Sequence, residues 1–233
     1  MEVNKALVIA SRTYLVDKVL QANKSKRLYH IVNTIKHQTY KGHHKFVKLK
    51  QAVDETRNVF ISHNGDPIVA MFDSCCGGVI PAKIEGMNYK KHPYLARDKI
   101  CTYCKRHWIY DWKKEFSKLE ITEALRKDHP DLQEITDIKV TKKDSAGLVK
   151  QVLVSTKQKN FHVSGKKMYS LFPSVKSFCY TIKKKGKMYV FQGRGFGHHM
   201  GLCQWGALGM VQDNWSYKNI YQPLFFFISI NIA

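Results

Sequence analysis

The feature that most restricts this chain is a glycine-framed run near its C-terminal end, Gly193-Arg194-Gly195-Phe196-Gly197-His198-His199-Met200-Gly201-Leu202-Cys203-Gln204-Trp205-Gly206-Ala207. Five glycines in fourteen residues permit backbone with φ > 0 and let a ligand lie against exposed N–H groups. A dinucleotide-binding reading fails, because Gly193, Gly195 and Gly197 do not make G-x-G-x-x-G and no helical run follows at once. A Walker-type phosphate loop fails too, since the chain has no Gly-Lys-Ser or Gly-Lys-Thr. Two readings remain open. The run forms either a pocket in which His198 and Gln204 hydrogen-bond a sugar or peptide, or a tight structural turn with a packed His.

Around this run the chain reads as one compact α+β unit. Val3, Ala6, Leu7, Ala10 and Tyr14 recur at helical spacing and predict an opening helix. Nothing ahead of Val3 offers a Ser, Thr, Asp or Asn cap, so the chain is expected to continue a longer one. Residues 23–50 are polar and basic, with His30, His37, His43 and His44. Without a spaced Cys or carboxylate beside the His43-His44 pair, a solvent-exposed loop is expected there in place of a metal site.

From Gln51 to Gly78 the pattern is strand-like. Val59-Phe60-Ile61 precede an Asn64-Gly65 hairpin signal, and the return strand runs from Pro67 to Phe72. It ends in Asp73-Ser74-Cys75-Cys76-Gly77-Gly78, small residues at which side chains or a ligand approach closely. Trp108, Trp112, Phe116, Leu119 and Ala124 predict a helix over 108–128, ending near Pro130. Strands are expected at 135–140, 148–154, 178–182 and 188–191, and a short helix after Gly209.

Charge enters next. The chain carries 39 basic and 18 acidic residues for a net +21, and 44% hydrophobic residues supply a core. Such a balance attracts polyanions and excludes a disordered tail. Only seven of the basic residues are Arg, and Arg is the residue that reads guanine and phosphate bidentately. A sequence-specific nucleic-acid reader is therefore not expected. The longest apolar stretch, Pro223 to Ala233, falls short of the roughly 20 residues of a transmembrane helix, and no export signal opens the chain.

Three ordered blocks carry a resemblance. GRGFGHHMGLCQWGA at 193–207 resembles the GRGFGHGVGMSQWGA signature of the stage II sporulation protein D (SpoIID) and LytB amidase-enhancer family. KALVIASRTY at 5–14 is similar to its EALKAQAIAARTY helix. The stretch from Val53 to Gly78, with Glu55-Thr56-Arg57, Asn64-Gly65-Asp66-Pro67 and Ser74 to Gly78, is similar to its ETxG…NGxPIxAxYHSxxGG block.

The resemblance implies a SpoIID/LytB-like domain over 1–221, with mixed β-sheets and a few helices around a substrate cleft, and an atypical apolar tail at 222–233. It implies peptidoglycan remodelling in the cell envelope, with glycan strands and a cell-wall amidase as partners. The leading reading is a lytic transglycosylase that cuts peptide-stripped strands. The alternatives are a non-catalytic glycan-binding or amidase-enhancer protein and a basic nucleic-acid binder. A lytic transglycosylase needs one carboxylic acid held protonated near neutral pH, and no second carboxylate to activate water. Glu2 aligns with the first Glu of the family helix, so the resemblance puts the acid ahead of Met1. Glu2, Glu55 and Glu85 are the local alternatives. Substrate contacts are implied at Arg12, Tyr14, Ser74, His198 and Gln204. Arg12 otherwise pairs with a core carboxylate such as Glu55.

The cysteines make a separate case. Cys75-Cys76 and the C-x2-C pair Cys101 and Cys104 supply four thiolates, enough for a tetrahedral zinc site. One or two disulfides, or free thiols, are the competing readings. Cys179 and Cys203 read as small buried hydrophobes.

Overall fold

A computed structural model describes residues 1–34, 37–38, 40, 42, 45–225 and 227–232. The His43-His44 pair lies outside the described residues, as does Phe226 within the apolar tail. The chain opens with helices α1 (Glu2–Lys24) and α2 (Val47–Glu55), then strands β1 (Val59–His63), β2 (Asp66–Pro67) and β3 (Phe72–Asp73). Next come β4 (Asp111–Ser117), α3 (Lys118–Arg126), β5 (Ile135–Lys143), β6 (Val149–Thr156), β7 (Asn160–Ser164) and α4 (Gly165–Leu171). The chain continues through β8 (Tyr180–Lys185), β9 (Met188–Arg194), β10 (Leu202–Cys203), α5 (Gln204–Gln212), α6 (Tyr217–Tyr221) and β11 (Ser229–Ile232). The α+β class expected from the sequence is the class observed. No helix among the described residues is long and apolar enough to cross a membrane.

The chain forms two units. The first comprises residues 1–72, 88–97 and 200–233, and is built on α1. Ala6, Ile9, Ala10 and Thr13 form its buried stripe, small enough for neighbouring backbone to come close. Thr13 Oγ1 accepts from the Ile61 N–H at 2.9 Å, and the Tyr221 hydroxyl donates to the Ala6 carbonyl at 2.5 Å. The stripe is rotated from the expected one, since Val3, Leu7 and Tyr14 are only half-buried. Strand β1 is flanked by β2 and β11, both antiparallel.

The second unit comprises residues 73–87 and 98–199. It contains two three-stranded antiparallel sheets, ordered β4-β9-β8 and β5-β6-β7. Their shared core includes Ile121, Leu125, Ile138, Val152, Met168 and Phe191. The ring of Phe191 stacks on Tyr180 with centroids 5.8 Å apart and meets Phe116 edge-on at 5.0 Å, the offset and edge-to-face geometries that aromatic quadrupoles favour.

Three local expectations are corrected. Residues 108–128 are not one helix: β4 occupies 111–117 and α3 begins only at Lys118. Asp111, Lys113 and Glu115 are exposed while Trp112 is buried and Phe116 half-buried, so the aromatic spacing reports a period-2 strand edge followed by a helix. Ser117 marks the switch with a capping box. Its Oγ accepts from the Glu120 N–H at 3.2 Å, and Glu120 Oε2 accepts from the Ser117 N–H at 2.7 Å. Residues 51–55 belong to α2, which buries Ala52, and are not strand-like. The return strand over 67–72 breaks into the short pieces β2 and β3. Between them Val69 N–H donates to the Tyr94 hydroxyl, and Met71 N–H to the Val69 carbonyl. Strand β7 and helix α4 had no sequence signal strong enough to be expected.

Because Phe191 is fully buried against the rings of Phe116, Phe172 and Tyr180, Phe191→Ala is expected to cost about 3–5 kcal/mol of stability. Chemical denaturation of the two proteins checks this.

Candidate functional site

In the second unit the two glycine-bearing segments meet face to face. Cys75 N–H donates to the Phe196 carbonyl at 3.0 Å, and Phe196 N–H returns a bond to the Cys75 carbonyl at 2.7 Å. A Cβ on Gly77 would sit 2.7 Å from Gly195 N, and one on Gly195 would sit 2.9 Å from the Cys75 carbonyl oxygen. Both glycines have positive φ, 59° and 83°. These positions are therefore closed to any side chain on two independent grounds.

His199 locks this crossing. Its backbone is left-handed at φ 71°, unusual for a non-glycine residue. Three hydrogen bonds hold it: its N–H donates to Asp73 Oδ2 at 2.6 Å, Nδ1 lies 2.9 Å from the Cys76 carbonyl, and Nε2 lies 3.3 Å from the Phe178 N–H. A carbonyl only accepts and an amide N–H only donates. The imidazole is thus neutral, with its proton on Nδ1. Burial first, then the neighbouring His198 and Arg194 charges, push its pKa down to about 4 against the opposing Cys76 bond.

Three buried cysteines of the second unit lie close together. The Sγ atoms of Cys76, Cys101 and Cys104 are all within 4.8 Å of one another, and this set can hold a metal ion. Cys76 and Cys104 are 3.7 Å apart at sulfur, a contact between thiols and not a disulfide. Cys104 is aimed by its knuckle, its thiol lying 3.8 Å from the Cys101 carbonyl. Cys203 is the N-cap of α5, with Sγ accepting from the Gly206 N–H at 3.2 Å. The positive end of the α5 dipole favours a thiolate there. Cys75 lies outside the set: its backbone serves the bridge to Phe196. Cys203, read from the sequence as a small buried hydrophobe, is buried in the first unit. Cys179 is half-buried.

The residues implied as substrate contacts fall as follows. In the second unit, His198 Nδ1 lies 4.0 Å from Asp73 Oδ2, and Ser74 adjoins Asp73 and is half-buried. In the first unit, Arg12 Nη1 donates to the carbonyls of Thr56 at 2.5 Å and Val59 at 3.0 Å. It ties α1 to the turn before β1, and does not pair with Glu55. Tyr14 is half-buried, with the Lys18 ammonium 5.0 Å from its ring centroid. Gln204 opens α5 and is half-buried.

The local acids are placed unlike a general acid. Lys5 bridges Glu2 at 3.2 Å and Glu55 at 2.7 Å. Burial of Glu2 opposes its ionisation, yet the Tyr217 N–H at 2.8 Å and Lys5 outweigh it and hold its pKa below the ordinary 4.5. Bonds from Lys5 and then Gln51 lower Glu55 likewise. A general acid needs the opposite shift. Glu85 is exposed.

Two family models match the chain. Residues 1–63 match the stage II sporulation protein family, SpoIID, and residues 90–201 match a domain of unknown function, DUF8618. An uncharacterised protein of Brachyspira hyodysenteriae (strain ATCC 49526 / WA1) is 31% identical over 235 aligned residues, covering 100% of this chain and 61% of the relative. The amidase enhancer of Bacillus subtilis (strain 168) is 24% identical over 266 aligned residues, covering 94% of this chain and 36% of the relative. The chain thus spans less than two thirds of the length of either curated relative.

Since both carboxylates on Lys5 have lowered pKa values, their contribution to stability is full above the unfolded carboxylate value. It is lost as pH falls through the lower folded values. Lys5→Met is expected to flatten the stability profile below about pH 5, as read by denaturant melts across the acid range.

Proposed function

We propose that this chain acts in peptidoglycan remodelling in the cell envelope, engaging glycan strands as a SpoIID/LytB-like domain over residues 1–221, with 222–233 as a tail. The observation that carries this reading is the SpoIID match at residues 1–63. It falls on α1, which bears Arg12 and Tyr14, and on α2 and β1. The amidase-enhancer relative, aligned over 94% of the chain, supports the same role. The leading activity is that of a lytic transglycosylase on peptide-stripped strands. Arg12, Tyr14, Ser74, His198 and Gln204 are its proposed glycan contacts.

One observation favours a second reading, a non-catalytic glycan-binding or amidase-enhancing protein. Glu2 and Glu55 share Lys5 and are held ionised, so neither donates a proton near neutral pH. A cell-wall amidase is the partner this second reading requires.

Incubating the folded chain with peptide-free glycan strands, followed by mass spectrometry of the products, decides between the two. Bound but intact strands would support the second reading. Anhydro-muramyl ends would show that the acid lies within these 233 residues and would restore the first.

The metal we propose is zinc, held by Cys76, Cys101 and Cys104. A tetrahedron with Zn–S bonds of about 2.3 Å has S···S edges of about 3.8 Å, and the Cys76–Cys104 separation is 3.7 Å. The ion would serve as a staple that fixes the knuckle. Elemental analysis of anaerobically purified protein is expected to give one zinc per chain. Cys104→Ser should lose it and melt several degrees lower, and absence of stoichiometric metal from the folded parent would refute the site.

A further inference from the structure

The β4-β9-β8 sheet turns one face to the core and the other to solvent, and its register decides which residues share each. Trp112 and Tyr180 flank Gly193 on the core face. On the other face Lys113 and Thr181 flank Gln192, Glu115 and Lys183 flank Val190, and Lys185 stands opposite Met188. Here Lys113, Lys183 and Lys185, with Lys184 on the edge strand, line a groove of about 260 Å³ together with Val190 and Gln192. The four lysines and Gln192 are exposed, while Val190 is buried. Two carboxylates of these strands lie on the same face. Glu115 pairs with Lys113 at 2.7 Å, and Lys113 first, then Lys185, hold its pKa below the ordinary 4.5. Asp111 stands opposite Arg194 at the far end of the strand pair. No ion pair among the described residues involves Lys183, Lys184 or Lys185. The groove therefore keeps a surplus of positive charge.

An ammonium is a compact point charge that pairs with phosphate without a fixed fork geometry. Lys183 and Lys185 are two residues apart on one strand, which sets their Cα atoms about 7 Å apart. Charges this dense suit a ligand whose own charges recur at short intervals. Among the described residues no aromatic ring and no Arg lines the groove. Nucleobases therefore find no stacking platform there, and a sugar ring finds no aromatic face. The remaining fit is a chain of phosphates joined by short aliphatic segments, whose methylenes pack on Val190 and on the lysine stems. We infer that this groove binds a linear polyol-phosphate polymer, with Lys113, Lys183 and Lys185 pairing with its phosphodiesters. The groove is separate from the proposed glycan contacts and does not rest on them.

Isothermal titration of the full chain with synthetic poly(glycerol phosphate) of defined length tests the groove. The Lys183→Glu, Lys185→Glu double variant is expected to bind at least about tenfold more weakly than the parent. Lys183→Arg, Lys185→Arg, which keeps the charge, should retain most of the affinity. The Lys142→Glu, Lys143→Glu variant changes the net charge equally on β5 of the other sheet and should bind nearly as the parent does. Added salt should weaken parent binding. Unchanged circular dichroism verifies that exposed side chains were replaced without unfolding. Equal losses in the two Glu variants would show attraction to the overall charge and overturn the groove, as would salt-independent binding or no binding by the parent. Oligothymidylate of matched charge bound as tightly, with the same loss in Lys183→Glu, Lys185→Glu, would reassign the groove to nucleic acid. A loss confined to peptide-free glycan strands would reassign it to glycan. Either result would overturn the inference.

Discussion

The second unit depends on one close approach, the crossing of Asp73–Gly78 with Gly193–His199. Beside the Cys75–Phe196 bridge the two backbones come too close for a Cβ, and Gly77 and Gly195 supply that absence from both sides. Much follows from it. Gly193 passes over the Trp112 indole, where a Cβ would come within 2.5 Å of the ring. Gly195 N–H donates to the Tyr110 carbonyl at 2.6 Å, which anchors the segment between the knuckle and β4. His199 then fills the space that remains. Its left-handed backbone is tolerated because Asp73, Cys76 and Phe178 over-determine it.

The same crossing explains why chemistry gathers here. The imidazole of His199 takes the Cys76 carbonyl as its acceptor, which fixes the residue whose thiol faces Cys104. On the first unit the electrostatic logic is different. There Lys5 gathers Glu2 and Glu55 into a shared ion pair. Burial opposes it at Glu2, and its role is to join α1 to α2 and α6 more than to tune an acid.

Legibility in the sequence followed the strength of local signals. The Asn64-Gly65 turn, with positive φ at both residues, was readable because few other residues tolerate that backbone. The strands at 135–143, 149–156 and 188–194 were readable from their alternation, although their ends shifted. Trp108 to Ala124 misled, since a strand joined directly to a helix placed its aromatics at intervals that mimic helical spacing. Only the Ser117 capping box separates the two. Arg12 was legible as a residue with a partner, but not which one, because the carbonyls of Thr56 and Val59 leave no mark in a sequence.

The sequence by itself determined the α+β class, the two glycine segments that must tolerate unusual backbone, and the C-x2-C knuckle, because each rests on covalent geometry or on near-neighbour spacing. Tertiary structure alone decided that the two glycine segments lie against each other. It alone set Cys76 in the thiol cluster with Cys75 left out, and set Lys5 between the two carboxylates. These outcomes depend on distances between residues far apart in the chain, and a pattern of neighbours carries no information about such distances.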